Sequence, residues 1–539
     1  MLLMLSLVSQ AYSPADPAWR MFKHDYQRTG RTPGQGAFST GTLIWKYLIE
    51  DADGGEDIVL YSTPAFKDIN SDARMEVLVG SPGSEKYDTW GDYEETVNEG
   101  IYVFNYNGYQ AKLRGQVVRY SSPAIGDLDG DGVDEIAVGA SSDEGHSNGF
   151  WILNQSGGTE LWINTGNQVA SSPALCDVDN DGLPEIFVGI DNDIRCYEWT
   201  GSGYNQRWSF PTGAYVQSSP ALGDLDGNGT YELVCGSDNG NIYCLNALTG
   251  SQIWAYQTGK NVRSTPAIDN ITSSPGLEIV YANDSAKVGV LSAGGSLLFL
   301  RSYPGPDTTF NYSSPSTGDF TGDGFAEVVI HDAFSSKIDC IDVQGGGSNF
   351  FSTSLGATYY FFDPTPAVGR FTGDNTLDVA TVAGVRFKVI SGGGYFGSPG
   401  TIVWDWGNAE YAFHTSVSFG DADGDGLLEA SSSDLSCWVY LWDGTGPLVA
   451  DETRPVRDFC LGFSPNPTRG KGNIALLLPE PCLVRILVYD AKGALVFELA
   501  EELASGAHNI PVVIEKPGVY ILRAIAGERV LTDKFTVTR

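Results

Sequence analysis

Residues 126 to 139 read Gly-Asp-Leu-Asp-Gly-Asp-Gly-Val-Asp-Glu-Ile-Ala-Val-Gly. Asp127, Asp129 and Asp131 place carboxylates at alternate positions of a short loop, a glycine permits a sharp turn, and Glu135 opens an apolar run. A loop of this kind wraps a hard cation in oxygen ligands, and Ca2+ accepts such a set in flexible geometry. Numbered from its first acid, the loop holds these four residues at positions 1, 3, 5 and 9, with the carbonyl of Val133 at position 7.

The pattern recurs behind a Ser/Thr-Pro leader at Pro64, Pro123, Pro173, Pro220, Pro266, Pro315 and Pro366, with Val417 replacing the proline in an eighth copy. Asp177, Asp179, Asp181, Leu183 and Glu185 keep the offsets, as do Asp421, Asp423, Asp425, Leu427 and Glu429. Asp224, Asp226, Asn228, Thr230 and Glu232 substitute one amide oxygen; Asp319, Thr321, Asp323, Phe325 and Glu327 substitute one hydroxyl. Asp68, Asn70, Asp72 and Glu76 also fit, although Ala73 stands where the turn glycine belongs. Five or six calcium sites are expected. Two copies read as dead: Arg370 brings a cation to position 1 of the seventh, and Asn270 to Pro275 after Asp269 breaks the spacing of the fifth. An EF-hand needs a glutamate at position 12 and flanking helices. Position 12 is Val138, Val188 or Cys235, between short apolar strands, so that reading fails.

The elements that must hold these loops follow from the spacing. A period near 50 residues with four strand signals is that of a propeller blade. In the fourth unit the expected strands are 219–223, 231–236, 241–246 and 252–256, the third alternating in apolarity as a half-buried strand does. Trp162, Trp208, Trp254 and Trp404, with Phe299, recur at one place in the outer strand, which points to packing between blades rather than sugar stacking. Thr42 to Tyr47 reads as an outer strand with no blade before it, while the last unit ends at Trp442 without one. The early strand is therefore expected to complete the last blade. The fold class is all-β, an eight-bladed propeller over 41–450 with a small β-sandwich over 464–539 after a linker at 451–463. If Asn239-Gly240 is a two-residue hairpin turn, Cys235 and Cys244 face each other, as a cross-strand disulfide or as two buried thiols. Cys460 and Cys482 form a second possible pair.

Composition bounds the rest. The formal charge of −35 over 539 residues repels phosphate backbones and argues against nucleic acid. Residues 1–11 resemble the end of a secretory signal, 12–40 an N-terminal arm, and no later run is apolar enough to span a bilayer. Secretion or surface display is expected, with the protein monomeric.

The Gly-Asp-x-Asp-x-Asp-Gly loop between Ser-Ser-Pro-Ala and Glu-Ile-x-Val-Gly resembles the FG-GAP (VCBS-type) repeats of integrin-like propellers. The stretch 241–259 is similar to repeats of PQQ-type propellers. The C-terminal segment opens on Ser464-Pro465-Asn466-Pro467, passes through Val-Tyr-Asp-Ala-Lys-Gly and Gly518-Val519-Tyr520, and ends on Lys534-Phe535-Thr536-Val537. It resembles a type IX secretion sorting domain, which implies the secretion machinery as a partner. These resemblances speak to fold and export, not activity. The five histidines (His24, His146, His331, His414 and His508) share no motif, His24 belonging to a packed arm. Neither a Gly-x-Ser-x-Gly elbow nor a His-Glu-x-x-His helix is present. No two cysteines are adjacent, as a PQQ dehydrogenase would have them. The expected function is a non-catalytic binding or adhesion module for an extracellular glycan or protein; the alternative is a calcium-dependent polysaccharide lyase. Contact is expected on the insertion 81–100, through Tyr87, Trp90 and Tyr93, with Tyr359 to Phe362 a second candidate.

Overall fold

Strands 232–236 and 241–246 of the fourth repeat are almost wholly buried, while 252–257 alternates between exposed and half-buried. A continuous apolar run covered on both faces and an alternating edge are what a stack of narrow sheets demands. The computed structural model describes residues 19–444 and 460–537, apart from 39–40, 50–61, 88–92, 114–117, 119, 141–147, 304–312, 333–334, 357–363, 395–397, 408, 410–411, 435–436, 465–470, 479–481, 491, 493, 504–505, 515 and 527–528. Every regular element in it is a strand. The chain divides into two compact units, 1–445 and 446–539.

The first unit is a β-propeller of antiparallel four-stranded sheets, which run, in all but the last, in chain order from an inner three- or four-residue strand to an outer one. Thr42–Leu48 pairs antiparallel with Trp438–Asp443, so the early strand completes the last repeat. The leaders explain themselves in the structure. The residue before each proline, or before Val417, donates its backbone N–H to the hydroxyl of its counterpart in the next repeat. The series runs Thr63, Ser122, Ser172, Ser219, Thr265, Ser314, Thr365, Ser416 and back to Thr63, at 2.9–3.3 Å. The circuit closes on itself. Proline holds the preceding residue extended, the conformation this hand-to-hand contact uses. The outer-strand indoles pack between sheets: Trp208 Nε1 donates to Ala247 O, Trp254 Nε1 to Ala293 O, and Trp404 Nε1 to Gly41 O, at 2.9–3.0 Å.

The inner strands leave their hub-facing N–H groups unpaired, and residues 19–38 cover them. Carbonyls of Trp19, Arg20, Tyr26, Gln27, Thr29 and Gly30 accept from Phe66, Ile125, Leu222, Ile268, Thr317 and Val368 in six different repeats. Arg31–Gln35 then adds a parallel strand beside Ala367–Arg370. Arg28 is fully buried; its Nε donates to Pro220 O at 2.9 Å, and its Nη2 to Pro173 O at 2.7 Å and Ser172 O at 3.1 Å. Lys23 Nζ donates to Pro315 O at 2.5 Å. Burial holds the Lys23 ammonium well below its ordinary pKa, with Asp25 acting against that shift. His24 is buried in the same arm, 5.3 Å from the Trp19 ring. The arm is thus the stopper of the propeller.

The structure corrects the cysteine reading. Gly240 N donates to Ser237 O and Ser237 N to Asn241 O, both at 3.0 Å, and Gly240 has φ +82°. The loop therefore has three residues, Asp238 to Gly240, and the register moves by one. Cys235 lies opposite Tyr243, and Val234 opposite Cys244. Because side chains alternate between faces, the two thiols sit on opposite sides of the sheet in separate cores. Both are free thiols, as are Cys176, Cys196 and Cys340. The side chains of Cys460 and Cys482 lie outside the described residues.

The second unit has a three-stranded sheet of Cys460–Ser464, Lys471–Leu478 and Gly506–Val513. A four-stranded sheet has the order Leu495–Leu503, Cys482–Asp490, Gly518–Ala526, Arg529–Val537. Ile474 and Val512 of the first share one core with Val484, Ile486, Val488, Tyr520, Leu522 and Ala524 of the second.

Candidate metal centres

Each acidic loop joins an inner strand to the second strand of its sheet, and its own backbone shapes it. In repeat two, Asp127 accepts from Gly130 N at 2.7 Å and Gly132 N at 3.1 Å, Asp129 from Asp131 N at 3.0 Å, and Asp131 from Val133 N at 2.7 Å. Glu135 reaches back from the strand to accept from Leu128 N at 2.9 Å. Gly132 at position 6 has φ +85°, a conformation that side chains with a Cβ resist. Ala73 holds the same position in repeat one at φ +69°, so that loop keeps its shape under strain.

In four repeats the carboxylates at positions 1, 3 and 9 converge, with one oxygen of each within 4.8 Å of the others: Asp127, Asp129 and Glu135; Asp177, Asp179 and Glu185; Asp224, Asp226 and Glu232; Asp421, Asp423 and Glu429. Uncompensated, the position 9 glutamate of each set is pushed towards its protonated form. Burial pushes Glu135 up to about 8 with Asp129 adding to it, and Glu185 up to about 7. The eighth repeat is the extreme. Glu429 is pushed up to about 10 by burial and by Asp423, and Asp423 to about 6 by burial and by Asp425. Asp443 stands directly opposite Glu429 in the strand ladder, a placement of like charges that is costly without a cation between them. Tyr106, from repeat one, donates to Asp443 at 2.9 Å across the junction between the first and last repeats. Asp443 was not legible as a site residue, because it lies beyond the loop motif and reaches Glu429 through the strand register, while only ring closure brings Tyr106 beside it. The donor set is all oxygen and rich in carboxylate, which fits Ca2+.

The remaining repeats differ at position 3. Asn70 Nδ2 donates to Glu76 at 2.7 Å, Thr321 Oγ1 to Glu327 at 3.2 Å and Thr372 Oγ1 to Asp378 at 2.9 Å. In repeat five, Ile271 N and Thr272 Oγ1 donate to Glu278 at 2.8 and 2.9 Å. That contact corrects the reading of this loop. The spacing is intact with Asn270 at position 1 and Thr272 at position 3. Asp269 ends the inner strand and is held instead by Arg31 of the arm at 3.0 Å and by Thr317 Oγ1 at 2.8 Å. Asp269 looked like position 1 only because a carboxylate replaces the glycine found there in neighbouring repeats. Asp68, Asp72, Asp181, Asn228, Asp319, Asp323 and Asp425 each keep the loop place that the spacing gives them, the side-chain oxygen accepting from a backbone N–H of the loop.

The insertion expected as a loop over 81–100 is an extension of the sheet: Glu76–Tyr87 and Tyr93–Asn105 pair along their length, with Tyr87 opposite Tyr93. Ladder pairing gives its backbone polar groups partners that a free loop would have to find in water. Trp90 lies outside the described residues, as do Tyr359, Tyr360, Phe361 and Phe362.

Comparison with known proteins defines the class. FG-GAP-like repeats match residues 127–188 and 177–235, and a secretion system C-terminal sorting domain matches 463–538. The chain therefore carries FG-GAP-like repeats and a C-terminal sorting domain, and the latter marks it as secreted or carried on the outer surface through type IX secretion. No curated protein matches it. Among solved structures it is similar to the quinohemoprotein alcohol dehydrogenase of Comamonas testosteroni, with 13% identity and a TM-score of 0.56 over 82% of each chain. It is also similar to the quinohemoprotein alcohol dehydrogenase ADHIIG of Pseudomonas putida HK5, with 12% identity and a TM-score of 0.56 over 85% of this chain and 83% of that one. A europium-containing methanol dehydrogenase gives 11% identity and a TM-score of 0.52 over 80% and 98%. At these identities the likeness is one of fold. No helix in the described residues is long and apolar enough to cross a membrane.

Proposed function

We propose that the protein is an exported, calcium-stabilised propeller of eight blades that binds an extracellular glycan or protein without chemistry of its own. Its C-terminal unit is an Ig-like sandwich read by the secretion machinery. The observation that carries the reading is the convergence of three carboxylates in each of four loops on a chain that bears a sorting domain. Calcium is plentiful outside the cell, and weak sites suffice there. Ion binding would neutralise much of the charge these loops carry. With the hub edges of the inner strands covered by the arm, contact falls to segments that depart from the repeat. The 76–105 hairpin is the longest of these, and Tyr87, Trp90 and Tyr93 are its binding residues in this reading. None of the structural neighbours named above is a lyase, so the lyase alternative rests on propeller architecture alone.

Two experiments test the proposal. The full chain, applied to a glycan array and to immobilised extracellular proteins, should be retained on one class with no product released. Replacing residues 84–97 by a short turn should reduce retention at least tenfold. Unsaturated sugar products would overturn the non-catalytic reading, and undiminished retention would remove the hairpin from the site. A chain ending at residue 462 should accumulate inside the cell with the propeller folded. Normal export of that chain would contradict the sorting role.

A further inference from the structure

We infer that Asn107 is a site of spontaneous covalent modification, losing its side-chain amide to attack by the Gly108 nitrogen, and that the isoaspartate so formed loosens the seam where the propeller closes. Asparagine is a thermolabile residue, and a following glycine leaves the attacking nitrogen without a Cβ to shield it. The chain holds four Asn-Gly pairs, at Asn107, Asn148, Asn228 and Asn239. They are controls for one another, because the chemistry is shared and the surroundings differ.

Asn239 is pinned. Its Nδ2 donates to Thr212 O and to the Tyr243 hydroxyl, both at 2.7 Å, and its Oδ1 accepts from Asn241 N at 3.0 Å. Gly240 is crowded as well, since a Cβ there would stand 2.6 Å from Gln257 Oε1. Asn148 is buried, and Gly149 packs so closely on the Trp162 ring that a Cβ would overlap it. Asn228 is exposed, but Thr230 holds its Oδ1 from the backbone N–H at 2.8 Å and from the hydroxyl at 2.5 Å. Asn107 differs from all three. It is exposed in the two-residue turn between Tyr93–Asn105 and Gly108–Lys112, and among the described residues no hydrogen bond holds its amide. Nothing lies within 4 Å of where a Cβ on Gly108 would stand, so the nitrogen has room to turn.

The reaction needs only water. The Gly108 nitrogen bonds to Asn107 Cγ, the Cγ–Nδ2 bond breaks, and the proton displaced from the nitrogen leaves with ammonia. Water then opens the cyclic imide at either carbonyl. Opening at Cγ leaves aspartate in an unaltered backbone. Opening at the main-chain carbonyl routes the backbone through the side chain, which adds a methylene and leaves a free carboxylate. That methylene falls between two anchors of Thr42–Leu48, the strand that completes the last repeat. Tyr106 O accepts from Trp45 Nε1 at 3.1 Å, and the Tyr109 ring stacks on Tyr47 with centroids 5.1 Å apart and planes at 15°. Tyr106 also donates its hydroxyl to Asp443 at 2.9 Å. A longer turn shifts Tyr106 against Tyr109, and the two can no longer both keep their partners on one strand.

The test is to age the full chain in a mildly alkaline buffer containing calcium, map its peptides by mass spectrometry, and melt fresh and aged samples. Asn107 should convert to aspartate and isoaspartate at least tenfold faster than Asn148 or Asn239, with Asn228 between them. The melting midpoint should fall in step with isoaspartate at 107. Asn107→Asp, made directly and so with a normal backbone, should melt like the fresh chain, and Asn107→Ser should keep its midpoint on ageing. Residue 107 lies on an exposed turn, and the fresh melting curve of each variant serves as its folding control. Equal conversion at all four pairs, or faster conversion at Asn239, would overturn the site. An aged sample rich in isoaspartate at 107 that melts like the fresh one would overturn its effect on the seam.

Discussion

Arg28→Ala should lower the stability of the propeller by about 3–5 kcal/mol, read as a fall in the denaturant midpoint. The guanidinium is fully buried and donates to carbonyls of Ser172, Pro173 and Pro220, which belong to the leaders of repeats three and four. Hydrogen bonds from a charged donor contribute about 1.5–3 kcal/mol each, and truncation leaves the carbonyls dry and unpaired. The effect is that large because the acceptors face the hub, where the arm is their nearest source of protons. Arg28→Lys should recover only part of the loss, since one ammonium cannot reproduce a planar fork spread over several carbonyls. A midpoint unchanged within error would mean that the arm is an ornament of the hub and not its stopper.

The second large effect is a dependence on pH that appears only when calcium is stripped. In the metal-free protein Glu429 is pushed up to about 10 and Glu135 to about 8, from an ordinary 4.5. Glu76, Glu185 and Glu327 are pushed to about 7 from the same starting point. Burial is the leading cause in each. A carboxyl whose folded pKa is raised holds its proton where the unfolded chain has already released it. The folded state then binds more protons, and stability falls as pH rises between the two values. Stripped protein should therefore be most stable near about pH 5 and lose stability steadily towards about pH 8 to 9. Calcium should flatten that slope, because an ion requires the ionised carboxylates and displaces their protons. The thermal midpoint measured across this pH range, with calcium and with chelator, checks both halves. A chelated midpoint that rises with pH would contradict the account.

Much of this architecture could be read from residues. The leaders and the recurring acidic loops fixed the repeat, and the orphan strand at Thr42 foretold its pairing with Trp438–Asp443. Such features are local, and each is stated by a motif that repeats. What stayed hidden depends on contacts between distant segments. Nothing in Arg28 says that it will reach carbonyls 144 and 192 residues away. The role of the serine and threonine hydroxyls in a closed circuit required the ring itself. In repeat five, a carboxylate in the glycine's place shifted the apparent frame by one, and only the bond from Ile271 to Glu278 restored it. The cysteine register failed for a similar reason, since Asp238-Asn239-Gly240 makes a three-residue loop where the Asn-Gly pair alone signals two. In the C-terminal unit the strands near 473–478, 484–490, 494–499 and 519–525 were legible from alternation. Gly506–Val513 and Arg529–Val537 were not, being interrupted by proline and by charge, nor was Cys460–Ser464, which is short and holds a glycine at its centre.

The claim that everything else leans on is that the loops hold calcium and that the ring depends on it. A site with a dissociation constant of about 0.1 mM adds about 1.4 kcal/mol at about 1 mM calcium, so several sites together should be unmistakable in a melting curve. The most direct measurement is differential scanning calorimetry of the full chain at about pH 8, in millimolar calcium and again in excess chelator. The account predicts that the propeller endotherm moves down by several degrees or more in chelator and returns when calcium is restored. Superimposable endotherms would show that the carboxylate loops are turns and nothing more.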